Sequence, residues 1–206
     1  MSKIKILAVS AALAAVLTPA AHAVELINNG GFEADPFPGS GFTTLTSGLT
    51  GWSISGSVDL IKDYWAPASG SYSLDLNGGG ASTISQSFAT QIGVLYNVSF
   101  SMAGNPDGGG NKSINANVTT PNTYTFDISN STHANMGWVT KTFSFVATSN
   151  SSTLSFVGNA VNGPYGAALD NVSVTSVPEP ATYAMMLVGL SVMGYAARSR
   201  RHGLGK

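Results

Sequence analysis

Acidic side chains are the first place to look for chemistry in this chain of 206 residues, because it contains no cysteine and only three histidines. Asp59, Asp63 and Asp75 lie in or beside short apolar runs. Two carboxyl groups about 5 to 9 Å apart can hydrolyse a glycosidic bond, and residues on distant strands can form such a pair without a local motif. The reaction also needs a cleft that desolvates one acid. A small glycan-active hydrolase is therefore the less favoured interpretation.

The sequence gives no support for a serine or cysteine nucleophile. His133, the single histidine between residues 24 and 176, lies in the polar segment 129–133, which is typical of an exposed loop. No Gly-x-Ser-x-Gly motif presents a serine near it. The absence of cysteine excludes thiol nucleophiles, thiolate metal sites and disulfides. We therefore predict no catalytic residues and expect that the protein is not an enzyme.

Aromatic and acidic side chains occur together in residues 63–67, a segment between two predicted strands. A sugar site needs aromatic rings against the apolar CH groups and polar side chains for the hydroxyls. Trp65 is the best stacking candidate, with Asp63, Tyr64 and Tyr165 as supporting ligand contacts. The alternative is that Trp65 belongs to the core, since tryptophan is more often packed than exposed.

Two further acids, Glu33 and Asp170, are candidate ligands of a structural calcium ion. Calcium binds several oxygen atoms, including backbone carbonyls, and Glu33 could meet Asp170 if the first and last strands are neighbours. The alternative is that Asn29-Gly30 forms a tight turn and Asp170 accepts backbone hydrogen bonds. One calcium ion is the only cofactor that the sequence suggests.

The elements that hold these residues are predicted to be β-strands. Short alternating apolar runs are separated by Gly, Asn, Pro and Asp, and no stretch of residues 24–176 has the period of an amphipathic helix. Strands about ten residues apart favour an all-β sandwich of jelly-roll type. The apolar positions that carry this prediction are Leu74, Leu76, Ile84, Phe88, Tyr96, Val98, Phe100, Met102, Val139, Phe143, Phe145, Leu154, Phe156, Val172 and Val174.

Charge is distributed unevenly along the chain. Residues 24–176 contain nine acids and three lysines, a net charge of −6, whereas the other basic residues lie at the two ends. A domain with so few cations has no surface that could neutralise phosphates. Nucleic acid is therefore excluded as a partner.

The N-terminal residues 1–23 have the pattern of a secretory signal peptide. Lys3 and Lys5 precede an apolar segment at residues 6–17, and Ala21-His22-Ala23 is a small-x-small cleavage site. We predict export by the general secretion machinery and a mature domain that begins at Val24. Residues 24–176 then suffice for one domain of ordinary size.

The C-terminal residues 177–206 combine the motif Val177-Pro178-Glu179-Pro180, an uncharged apolar run at residues 181–197 and the cluster Arg198, Arg200 and Arg201. The run is just long enough for a single transmembrane helix, and the arginines place its end in the cytoplasm. This order of motif, span and basic cluster resembles the PEP-CTERM sorting signal. The resemblance implies recognition by an exosortase, which cleaves near the motif and releases or re-anchors the exported part. The alternative is a permanent tail anchor.

Short segments distributed over residues 24–176 resemble the choice-of-anchor C family, which is similar to a domain of unknown function in plant cell-wall proteins. These segments are residues 28–33, 51–52, 58–61, 64–67, 73–78 and 168–174. The resemblance implies a galactose-binding-like sandwich and association with carbohydrate or cell wall. Many carbohydrate-binding sandwiches also place a structural calcium ion between an early Asn-Gly-x-Phe-Glu segment and a late Leu-Asp-Asn-Val strand.

Together, these patterns predict an exported protein that an exosortase sorts to the cell surface or releases outside the cell. Before processing, residues 181–197 would hold it transiently in the inner membrane. We expect a non-catalytic carbohydrate-binding module associated with an extracellular polysaccharide, in an exopolysaccharide or biofilm matrix. The alternative is a structural matrix protein or adhesin that recognises protein or a second copy of itself, because low charge and high β content allow that role equally well.

Overall fold

The computed structural model describes residues 24–177 and 188–193. Strands make up almost all of the regular structure in the first range, with one 3-10 turn at Ala160–Asn162. The strands are β1 (Phe42–Leu45), β2 (Ser53–Ser55), β3 (Val58–Ile61), β4 (Ser73–Asp75), β5 (Thr83–Ala89), β6 (Leu95–Gly104), β7 (Lys112–Asn117), β8 (Pro121–Phe126), β9 (Val139–Val146), β10 (Ser151–Gly158) and β11 (Ala167–Ser176).

The strands form two antiparallel sheets that pack face to face. A six-stranded sheet has the order β1-β3-β4-β11-β6-β9, and a five-stranded sheet has the order β2-β5-β10-β7-β8. Neighbours in the sheets are far apart in sequence, as in β4 beside β11, so the chain passes repeatedly between the two layers. The predicted all-β, galactose-binding-like jelly-roll sandwich is therefore confirmed.

Alternation of apolar residues builds the core between the sheets. Tyr96, Val98, Phe100 and Met102 all lie on the inner face of β6 and are buried, as the sequence predicts. Four rings in edge or tilted contact form the centre of the core, and successive centroids are 5.9, 6.2 and 5.0 Å apart along the series Phe32, Trp52, Phe156 and Phe100.

Strand β11 contains a bulge that decides which of its side chains face the core. Its pairing with β6 shifts between Asp170 and Ser173, and Asn171 has a φ of 50°, in the left-handed region. One extra residue reverses the alternation, so that Val172 and Val174 face the core while Asp170 lies on the outer face.

The two ends of the domain lie side by side. Leu26 donates a hydrogen bond to the carbonyl of Val174, and Val172 donates one to the carbonyl of Gly30. At the other terminus, the amide of Val177 donates to the carbonyl of Leu95. The N-terminal segment is therefore a neighbour of the last strand.

Several sequence predictions fall outside the described residues. They are the signal peptide at residues 1–23, the motif residues Pro178, Glu179 and Pro180, and the arginines Arg198, Arg200 and Arg201. Of the predicted helix at 181–197, the structure describes residues 188–193, which are helical. No helix within the described ranges has the length and apolar character needed to cross a membrane.

Candidate functional site

A cavity of about 200 Å³ opens on the outer face of the six-stranded sheet, where the ends of β3 and β4 meet the loops that follow β6 and precede β11. Its floor is acidic and its rim is aromatic. The residues that line it are Phe42, Asp59, Ile61, Tyr64, Trp65, Asp75, Gly78, Asn105, Asp107, Pro164 and Tyr165.

The floor consists of two neighbouring carboxylates. Asp59 on β3 and Asp75 on β4 are direct register partners, so both side chains lie on the same face of the sheet. That face would be open to water in a simple sandwich, but loops cover it and leave Asp59 only 7% and Asp75 only 1% exposed. Burial raises the pKa of both carboxyl groups, that of Asp75 to about 6.

The two carboxylates have very different hydrogen bonding. Asp75 accepts hydrogen bonds from the amides of Asn77 and Gly166 and from Nδ2 of Asn105, at 2.9, 3.0 and 2.8 Å. Asp59 accepts one, from the hydroxyl of Thr44 to its Oδ1 atom at 2.6 Å. Its Oδ2 atom has no donor among the residues that the structure describes. Asp75 is therefore enclosed by the protein, whereas Asp59 can bind a ligand.

A hydrogen-bonded chain connects the floor to the rim. Asn105 donates a hydrogen bond to Asp75 through Nδ2, and its Oδ1 accepts one from the amide of Asp107 at 2.9 Å. Oδ2 of Asp107 accepts a hydrogen bond from the hydroxyl of Tyr64 at 2.6 Å, and Oδ1 of Asp107 lies 2.9 Å from Nε2 of His133. The hydrogen bond to Asp107 is the main reason that the pKa of Tyr64 is raised to about 12. This network fixes the orientation of the Tyr64 ring.

Aromatic side chains at the rim are available to a ligand. Tyr165 is 43% exposed and packs over Gly108, where an added Cβ would lie 2.5 Å from the Tyr165 Cβ. Phe42, on edge strand β1, makes an edge contact with Tyr64, with 5.4 Å between the centroids. Exposed ring faces next to buried polar groups are the usual arrangement of a sugar site.

The predicted role of Trp65 as an exposed stacking platform is wrong. Its side chain is 3% exposed, and its Nε1 donates to the hydroxyl of Ser73 at 2.9 Å, so its ring packs against the sheet and supports Tyr64. The structure does bring Tyr64, Trp65 and Tyr165 to one cavity. Asp63 is exposed and lines an adjacent open groove instead.

Sequence reasoning missed Asn105, Asp107 and Phe42 as components of this site. Asn105 and Asp107 come from a glycine-rich loop whose path the sequence does not reveal. One signal for the floor was present: Asp59 and Asp75 each lie inside a run of apolar residues rather than at its edge. An acid within a strand that is buried on both faces indicates that other chain segments cover the sheet.

The predicted calcium ligands lie near each other but bind backbone amides. Oε1 of Glu33 accepts the amides of Ser71 and Tyr72, at 2.7 and 3.0 Å. Oδ2 of Asp170 accepts those of Ala68 and Ser69, at 3.0 and 3.1 Å. Burial raises the pKa of Asp170 to about 6, and the negative charge of Glu33 contributes to that increase. Asp170 thus holds the segment before β4 against β11, and Glu33 holds the same segment against the N-terminal loop.

The donor set partly fits a calcium ion. The two carboxylates have the hard oxygen chemistry that calcium prefers, and Oε2 of Glu33 has no donor among the described residues. No group of three or more acidic or histidine side chains that could hold a metal occurs in the described ranges. Any ion bound here would therefore take most of its ligands from backbone and water.

Comparison with known sequences identifies the family. Residues 25–175 match the family described as "Protein of unknown function (DUF642)", and the chain belongs to it. Residues 176–201 match the PEP-CTERM protein-sorting motif, which marks the protein for export and sorting to the cell surface. The chain is also 29% identical over 175 residues to halomucin of Haloquadratum walsbyi strain DSM 16790 / HBSQ001, a match that covers 81% of this chain and 2% of halomucin.

Solved structures with a similar fold include carbohydrate-binding proteins. The arabinose-bound MgGH51 α-L-arabinofuranosidase is 16% identical, with a TM-score of 0.50 over 74% of this chain and 26% of that one. TmCBM61 in complex with β-1,4-galactotriose is 17% identical, with a TM-score of 0.47 over 75% and 99%. A family 35 carbohydrate binding module from Clostridium thermocellum is 18% identical, with a TM-score of 0.45 over 61% and 92%. At such identities the likeness concerns the fold alone.

Proposed function

We propose that this DUF642 protein is a non-catalytic carbohydrate-binding module of the bacterial surface or extracellular matrix, and that its sugar binds in the cavity above Asp59. The observation that supports this most directly is the composition of the cavity. Tyr64 and Tyr165 form an aromatic rim, and Asp59 and Asn105 provide polar atoms on the floor. Sugar rings need both kinds of surface.

The size of the cavity limits what it holds. At about 200 Å³, it is smaller than the ~300 Å³ at the lower end of pockets for drug-sized ligands. It therefore accommodates one sugar ring, either at the end of a glycan or as a branch, rather than a length of main chain.

The hydrogen bonding of the floor argues against hydrolysis. A glycosidase needs two carboxyl groups that both reach the scissile bond. Asp75 is 1% exposed and already accepts three donors, so only Asp59 of the pair can touch a ligand. Asp107, the third acid of the lining, is engaged at both oxygens by Tyr64 and His133, so Asp59 is the carboxylate left to a ligand. That arrangement suits binding without catalysis.

The test is calorimetric binding by the exported protein, purified in mild detergent, to a panel of neutral, acidic and amino polysaccharides, with product sugars assayed in parallel. We expect saturable binding without product, weakened about tenfold by Tyr165→Ala because a stacking face is lost. Ile92→Ala is the matched control, since Ile92 is 65% exposed and lies outside the cavity. Released sugar would favour the hydrolase. Absence of binding across the panel would favour the matrix protein or adhesin.

We also propose that one calcium ion binds at Glu33 and Asp170 and stabilises the fold without taking part in ligand binding. Neither residue lines the cavity or its rim. Together they connect the N-terminal loop, the segment before β4 and the bulge of β11. An ion there would stabilise the contact between three chain segments.

A further inference from the structure

We propose that the sugar bound in the cavity carries a free ammonium group, as in a hexosamine without its N-acetyl group. This inference rests on the proposed function, because it names the class of sugar for the same cavity. It is carried by an accessible buried carboxylate on the floor together with aromatic rings at the rim.

The charged side chains of the described cavity lining are all acidic. Asp59, Asp75 and Asp107 line the cavity, and among the residues that the structure describes no lysine, arginine or histidine does. Lys112 is buried near Asp75 but lies outside the lining, and its ammonium donates to the carbonyl of Gly109 at 3.3 Å. His133 contacts the outer side of Asp107 and lines the neighbouring groove. A cationic ligand would therefore meet attraction from every charged group in the cavity.

Asp59 is the residue positioned to receive that cation. Its side chain is 7% exposed, its Oδ1 is occupied by Thr44, and its Oδ2 lacks a donor among the described residues. A buried carboxylate without a counter-ion is costly, and a charge-assisted hydrogen bond from an ammonium offsets this cost. Asp75, the register partner of Asp59, adds negative potential without direct contact.

The aromatic rim favours the same ligand. The faces of tyrosine and phenylalanine rings attract cations, and the attraction is stronger where water is excluded. Tyr64 is held in place by Asp107, and Tyr165 and Phe42 complete the rim. A protonated amino sugar presents both a cation and apolar CH groups to these rings. A hydroxyl or an N-acetyl group at the same position would provide no charge.

The same charges exclude another large class of glycans. A uronic acid would bring its carboxylate close to Asp59 and Asp107, in a lining to which residues 24–177 and 188–193 contribute no cation. Repulsion between like charges in a partly buried site is not screened as it is on an open surface. Pectic and alginate-like chains should therefore bind worse than neutral chains.

The experiment compares ligands that differ at one position. Binding of the exported protein is measured at about pH 7, above the pKa of about 6 of Asp75, where a substantial share of the glucosamine amines is still protonated. The ligands are β-1,4-linked glucosamine oligomers, the N-acetylated oligomers of the same length, neutral β-1,4-galactotriose and oligogalacturonate. We expect the free amine to bind about tenfold more tightly than the acetylated oligomer. We also expect the uronate to bind most weakly.

Variants then test whether Asp59 on the cavity floor causes the preference for the amino sugar. Asp59→Asn is expected to remove the preference for the amine while binding to neutral sugar remains, and Asp127→Asn, at an exposed acid outside the cavity, should leave the preference unchanged. If Asp59→Asn does not fold, the comparison of amine and acetylated ligands on the unaltered protein still decides. Equal binding of the two, or preference for the uronate, overturns the inference and leaves the proposed function intact. Absence of binding to every oligomer overturns both.

Discussion

Asp75 shows what a buried acid costs and how the protein accommodates it. Three donors surround its carboxylate, yet burial still raises its pKa to about 6 from an ordinary value of 3.8, and the neighbouring charge of Asp59 acts in the same direction. Burial lowers the pKa of the nearby Lys112, and the negative charge of Asp75 opposes that decrease. The folded protein therefore binds a proton at Asp75 more tightly than the unfolded chain does.

This shift predicts a pH dependence of stability. Since the pKa of Asp75 is higher in the folded state, its contribution to the free energy of unfolding is largest at low pH and decreases as the pH rises through about 6. Relative to Asp75→Asn, the wild-type protein should gain about 1 kcal/mol between pH 7 and pH 5. Denaturant unfolding at both pH values measures the difference, with Asp63→Asn as the control. Parallel pH profiles for wild type and Asp75→Asn would contradict the assignment.

The calcium proposal is also tested at single residues. If an ion binds Glu33 and Asp170 only in the folded state, free calcium at 100 times the dissociation constant should stabilise the protein by about 2.7 kcal/mol. Glu33→Gln should abolish this increase, which thermal unfolding in calcium and in chelator measures. Magnesium is the control ion, because it tolerates irregular backbone sites poorly. Identical melting temperatures in calcium and chelator would exclude the ion.

For single residues, the sequence indicated which side chains lie at the cavity better than it indicated how buried each one is. Tyr64 and Tyr165 line one cavity, and their role as ligand contacts stays a prediction, whereas Trp65, the stacking candidate, is buried, which was the alternative for it. A tryptophan in a loop, two residues before a proline, can be buried or exposed, and the hydrogen bond of Trp65 to Ser73 shows that it packs on the sheet. The acids at Glu33 and Asp170 remain predicted metal ligands.

At the scale of elements, the N-terminal loop depends on one glycine. Gly30 packs against β11 so closely that an added Cβ would lie 1.9 Å from the carbonyl oxygen of Val172, whereas at Gly31 the nearest atom would be 3.8 Å away. Both φ angles lie outside the left-handed region. The first glycine is therefore needed for close approach of two backbones, and the second is not.

Gly30 and Gly31 consequently form a matched pair for mutagenesis. Gly30→Ala should destabilise the protein by about 1–3 kcal/mol, because the loop must move away from β11. Gly31→Ala should change stability by less than about 0.5 kcal/mol. Chemical denaturation of the two variants gives the comparison. Equal effects would mean that the loop is not packed on β11 as described.

The strands were the most predictable part of the fold, because alternation in residues such as Val98 and Phe100 has only one simple cause. Strand β9 was predicted with an inner face of Val139, Phe143 and Phe145, yet Val139 is exposed because β9 is an edge strand. The pairing order was not predictable. It depends on contacts between distant segments and on the bulge at Asn171, for which no local sequence pattern exists.

At the scale of the whole molecule, the sorting motif begins where the folded domain ends. Val177 is hydrogen-bonded to Leu95, and the motif continues directly from it. If an exosortase reads this motif, Pro178→Ala combined with Pro180→Ala should leave the protein unprocessed in the membrane fraction. Immunoblotting of cell fractions for a longer, membrane-bound species measures this, with Thr182→Ser as the control. Unchanged processing would favour a permanent tail anchor.

Strand β11 also has a mechanical consequence. Tyr165 at the cavity rim lies two residues before it, and the sorting motif starts at its far end, about 30 Å away for ten extended residues. If a glycan binds at the cavity while the C-terminus is anchored, tension between the two would run lengthwise along β11. Its ladders with β4 and β6 lie perpendicular to this axis and would be loaded in shear, so their bonds resist together rather than opening one after another. If the proposed sugar binding and anchoring both hold, strand β11 would resist such a pull.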